Sequence, residues 1–96
     1  MIRHICMFTL KEDNKEKNIL EFFERAEKLR ELDMIKQFKV VRNAEKTPDS
    51  NYDVALIFDF DTVETLDEYQ QSQLHKDFGE FVYTIREQRA CIDYEI

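Results

Sequence analysis

Ile2, His4, Cys6, Phe8 and Leu10 fall on one side of an alternating run, with Arg3, Ile5, Met7 and Thr9 on the other. A period of two over so short a segment predicts a strand. The charged stretch Lys11 to Lys17 follows, and Asp13 three residues before Glu16 has the form of a capping box, which predicts a helix start. From Ile19 the period changes. Ile19, Phe22, Phe23, Ala26 and Leu29 recur at steps of three and four, while Glu21, Glu24, Arg25, Lys28 and Glu31 fill the opposite face. This is the pattern of a helix packed on a core.

Lys36 to Arg42, with Phe38 and Val40 alternating against Lys39 and Val41, predicts a second strand, placed at a sheet edge by its lysines. Asn43 to Asn51 carries Lys46, Pro48, Asp49 and Ser50 and reads as an exposed loop. Tyr52 to Phe60 is the strongest strand, and apolar residues on both its faces predict a central, covered position. Asp61 or Thr62 is placed to cap a helix carrying Val63, Leu66 and Tyr69. Ser72 is placed to cap another, striped with Leu74, Phe78, Phe81, Val82 and Ile85 and running to about Glu87. Arg89 to Ile96 alternates again and closes the chain with a strand.

The order β-α-β-β-α-β is that of the ferredoxin-like α+β arrangement, one antiparallel sheet with its helices on a single face. At 96 residues the chain is expected to form one domain over 1–96. The first and third strands carry apolar residues on both faces, so a two-layer monomer leaves an apolar sheet surface in water. A second copy of the same surface covers it most simply, which predicts a homodimer joined through the open sheet face.

Composition narrows the function. One glycine, Gly79, and one proline, Pro48, are too few for a dinucleotide fingerprint, a P-loop or a nucleophile elbow, and no cofactor is expected. The formal charge of −7 argues against nucleic acid and anionic membranes as partners. Without an apolar run long enough to span a bilayer or to act as a signal peptide, the reading is a cytoplasmic protein. Cys6 and Cys91 are read as reduced, mostly buried thiols, too few for a disulfide framework or a zinc site. In the ferredoxin-like order they lie on neighbouring strands, with their register open.

The segments IRHICMFTLK, FKVVRN, YDVALIFDFDTVETLDEYQ and RACIDYE, in this order and spacing, resemble the Dabb family of stress-responsive dimeric α/β-barrel domains over essentially the whole chain. The resemblance implies a dimer whose two sheets close into a barrel. It also implies candidate site residues, because some plant members are polyketide cyclases that use a first-strand His, a Tyr on the second helix and a His just after it. Those roles fall on His4, Tyr69 and His75. The family's usual His-Pro pair before the final His is replaced here by Ser72 and Gln73.

These residue types suit an aldol ring closure, which needs a base for an α-proton, a donor for the developing oxyanion and a dry cavity. A core histidine bonded to a neighbour, and a histidine near a helix start, are the plainer readings of His4 and His75. The carboxylates of the first helix read as a solvated face. Asp59 and Asp61, with Asp93 or Glu95, would need to converge from several strands to hold a cation, and no metal is expected. Three functions therefore stand open: an apolar pocket for a small hydrophobic molecule, a cyclase-like lyase or isomerase, and a stress-stabilising dimer without a ligand.

Overall fold

The structure, a computed structural model, describes residues 1–96. Its elements are β1 (Ile2–Leu10), α1 (Lys15–Ala26) continued by a 3-10 turn (Glu27–Glu31), β2 (Gln37–Arg42), β3 (Val54–Phe60), α2 (Val63–Gln71), α3 (Gln73–Ile85) and β4 (Arg86–Glu95). The four strands form one antiparallel sheet in the order β2-β3-β1-β4, the expected ferredoxin-like arrangement. β2 is an edge strand and β3 an inner one, as the lysines and the two-sided apolar pattern predict. The final strand begins earlier than expected, directly at the end of α3.

One face of the sheet carries the core. Ile2, Cys6, Phe8 and Leu10 of β1 and Val54, Leu56, Phe58 and Phe60 of β3 are buried beneath Ile19, Phe22, Ala26, Leu66, Tyr69, Phe78, Val82 and Ile85 of the helices. Aromatic rings form its centre: Phe58 stacks on Phe38 and Phe60 at centroid separations of 4.9 and 5.8 Å, and Phe22 meets Phe78 at 5.2 Å.

The other face bears no helix. Direct strand pairing lines up Ile57, Ile5 and Ile92 across β3, β1 and β4, with Ala55, Met7 and Ala90 in the next row. Ile92 is 59% exposed and Tyr94 40% exposed. On the same face Arg3 donates from Nε and Nη2 to Asp59 Oδ1 and Oδ2 at 2.7 and 2.8 Å.

Helix starts depart from expectation at one place. The Asp13/Glu16 capping box does not form: Asn14 is the N-cap, in the left-handed region at φ 58° and without a side-chain cap bond. Asparagine tolerates that conformation better than most residues. Glu16 instead meets Arg42 of β2 at 3.0 Å. Thr62 does cap α2, exchanging bonds with Thr65 at 3.1 Å in each direction, and Ser72 caps α3. Of the three residues Val63, Leu66 and Tyr69 that α2 carries, Leu66 and Tyr69 are buried and Val63, in the first turn, is exposed.

The cysteines also correct the sequence reading. Cys6 lies directly opposite Cys91, with Cα atoms 4.3 Å apart, and the two form a disulfide. The strand register brings together two residues far apart in sequence. Cys6 is buried, whereas Cys91, on the edge strand, is exposed.

Candidate functional site

His4, the third residue of β1, points to the helix side and is buried. Asp93 stands directly opposite it on β4 and accepts a hydrogen bond from its Nδ1. An ionised carboxylate only accepts, so the proton lies on Nδ1, and Nε2 faces inward, 3.3 Å from Cys6 Sγ. Tyr69 comes from the last turn of α2 and is 1% exposed. Its burial pushes the phenol far above its ordinary value, so the hydroxyl remains protonated and able to donate.

His75 is brought to Tyr69 by the break at Ser72, the single residue in extended conformation between α2 and α3. Ser72 Oγ donates to the Tyr69 carbonyl at 2.7 Å and accepts from the His75 backbone N–H at 3.2 Å. Ser72 thus performs, by capping, the positioning task of the helix start. The His75 ring stands edge-on to Tyr69 at 4.8 Å, and its buried Nδ1 has no hydrogen-bond partner. Burial pulls the imidazole below its ordinary value, opposed by the Gln70 backbone and reinforced by His4 and Arg89.

All three residues line one cavity of about 200 Å³ between sheet and helices. Cys6, Phe58 and Gly79 contribute apolar wall, and Arg89 stands near the sulfur, with Nη2 3.9 Å from Cys6 Sγ. The volume lies below the roughly 300 Å³ usual for ligand pockets, so an occupant must be small. A mostly apolar wall with two imidazoles and a phenol can hold a compact hydrophobic molecule and offer a base and a donor to a carbonyl group.

The carboxylates considered for a cation do not converge. Asp59 is bound to Arg3 on the open face, Asp61 pairs with Lys36 at 3.7 Å, and Asp93 serves His4 on the opposite face of the sheet. The carboxylate partner of His4 was therefore visible in the sequence only as a candidate cation ligand. Its true role depends on the β1–β4 register, which no local pattern reveals.

A four-stranded antiparallel sheet with helices on one face, an apolar open face and a histidine-lined cavity defines a ferredoxin-like α+β protein. The chain belongs to the Dabb family, the Stress responsive A/B Barrel Domain, whose model matches residues 2–96. Similar solved structures include a dimeric protein of unknown function and ferredoxin-like fold from Bacteroides fragilis, 24% identical over 99% of this chain and 95% of that one, TM-score 0.81. A Dabb family protein with a ferredoxin-like fold from Mesorhizobium loti is 24% identical over 99% and 95%, TM-score 0.82. The hydroxynitrile lyase of Passiflora edulis is 17% identical over 99% and 92%, TM-score 0.85. At these identities the likeness is one of fold. No curated protein matches the chain.

Proposed function

We propose that this chain works as a cytoplasmic, stress-responsive homodimer whose subunits each bind a small hydrophobic molecule between sheet and helices. The observation that carries the reading is the meeting of His4, Tyr69 and His75 on one apolar-walled cavity, with a buried imidazole nitrogen left without a partner. An unpaired buried polar atom costs roughly 1–3 kcal/mol, and a ligand's donor or acceptor would relieve it. Sheet-to-sheet pairing is supported by the isoleucine row on the open face and by the dimeric description of the Bacteroides fragilis protein. In the test, calorimetric titration with a set of small aromatic ketones and phenols should give saturable binding to wild type and at least tenfold weaker binding to His75→Ala. Equal affinity in both proteins would contradict the reading.

A second reading, a cyclase-like lyase or isomerase, has support from the same three residues. Lowered basicity keeps the His75 imidazole neutral and able to accept a proton near neutral pH, while the Tyr69 hydroxyl can donate to an oxyanion. No helix is long and apolar enough to cross a membrane. Turnover of an activated carbonyl compound by wild type, abolished in His75→Ala and Tyr69→Phe, separates catalysis from binding alone.

A further inference from the structure

We propose that the reduced form of this protein binds one zinc ion per chain through Cys6 Sγ, Cys91 Sγ and His4 Nε2, and that the Cys6–Cys91 disulfide is the closed, metal-free state of the same site. The proposal stands whether or not the cavity takes an organic ligand.

The three donor atoms lie within 4.8 Å of one another. In a tetrahedral site with zinc–sulfur bonds of 2.3 Å, neighbouring sulfurs are about 3.8 Å apart. His4 Nε2 already lies 3.3 Å from Cys6 Sγ, close to a ligand–ligand spacing. The sulfurs need only move apart by side-chain rotation once their bond is broken, because strand pairing holds their Cα atoms 4.3 Å apart.

The surroundings also suit a metal. Asp93 holds Nδ1 of His4, which directs the other nitrogen toward the sulfurs, the carboxylate–histidine support commonly found behind metal-bound imidazoles. Charge is balanced: two thiolates and the Asp93 carboxylate face a divalent cation and the Arg89 guanidinium near Cys6 Sγ. Cys6 and His4 are buried, and Cys91 is exposed, so the site is reachable from one side. Three protein ligands leave a fourth position for water or another donor atom.

The chemistry is reversible and balanced. A dithiol reductant delivers two electrons and two protons to the disulfide, giving two thiols and its own cyclic disulfide. Both thiols then release their protons to solvent as the thiolates bind zinc. A reducing compartment favours the dithiol form.

The test begins with protein reduced by a dithiol, freed of reductant and metal under anaerobic conditions, then titrated with zinc by competition against a chromophoric chelator. Cobalt is used in parallel to read thiolate-to-metal charge transfer. The expected result is one metal per chain, no binding by the oxidised protein, and loss of the charge-transfer band in Cys91→Ser, a variant at an exposed position that spares the core. Asp93→Asn should weaken zinc by about 10–100-fold, the usual effect of removing such a support. Reduced wild type that retains no metal, or Cys91→Ser and oxidised protein that bind as well as reduced wild type, would overturn the proposal.

Discussion

The His75 ring meets the Tyr69 ring edge-on at 4.8 Å, and Ser72 Oγ links the Tyr69 carbonyl to the His75 backbone N–H. One hydroxyl thereby ties together the backbones of the two helices that carry these rings. Because His75 is half-buried with its basicity lowered chiefly by desolvation, its protonation is less favourable in the folded chain than in the unfolded one. The unfolded state then binds more protons, and stability falls with falling pH. The contribution is intact above the ordinary histidine value of about 6.5 and is lost as pH falls from there through the lower folded value. Urea midpoints measured across this window should drop less steeply in His75→Gln than in wild type; parallel profiles would show that His75 does not titrate differently on folding.

Gly79 lies in α3 on the cavity wall, and a Cβ built there meets no atom within 4 Å. Gly79→Ala should therefore raise stability by about 0.5–1 kcal/mol, the backbone-entropy cost of a mid-helix glycine. Gly79→Leu should extend into the cavity and weaken binding of the small aromatic probes while the fold is kept. Thermal unfolding and the same titration check both effects.

Asp59 is 3% exposed and its carboxyl is held below the usual range first by the hydrogen bonds from Arg3, against an opposing desolvation cost. A depressed carboxyl contributes stability that is present above its unfolded value, about 3.9, and lost as pH falls through the folded value. Arg3→Met should lower the urea midpoint at neutral pH, because it strands a buried charge, and Asp59→Asn in the same chain should restore part of it. A double variant no better than Arg3→Met would contradict this account of the pair.

Much of this molecule is legible in the residues themselves. The alternation of Ile2 to Leu10 and Val54 to Phe60, and the three-and-four spacing from Ile19, follow from burial on one face, so they specify strands and helix directly. The caps Thr62 and Ser72 act through their own hydroxyls and are equally local. What the residues hide is non-local: that Cys6 and His4 face Cys91 and Asp93 follows from the register of β1 on β4, with 85 residues separating the cysteines. The Asp13/Glu16 pattern misleads because Asn14 takes the left-handed turn and Arg42, distant in sequence, captures Glu16. The site residues His4, Tyr69 and His75 emerged from family resemblance, and the cavity joins them; the carboxylate behind His4 did not emerge at all as its partner.

Ile57, Ile5 and Ile92 form one row on the helix-free face, with Ile92 on the edge strand. Sedimentation equilibrium should return twice the chain mass for wild type. Ile92→Glu, which places a charge on the helix-free face at the β4 edge where the two sheets would meet, should shift the protein toward monomer with its circular dichroism unchanged. A wild-type monomer at micromolar concentration would rule out the dimer.

The most direct measurement of the central claim is the nitrogen NMR spectrum of the two imidazoles during titration with a small aromatic ketone. If the cavity holds the ligand at His4, Tyr69 and His75, the Nδ1 signal of His75, the nitrogen without a partner, moves saturably, and the Tyr69 ring signals move with it. Ligand-induced shifts confined to the open sheet around Ile92, with both histidines unmoved, would contradict the claim.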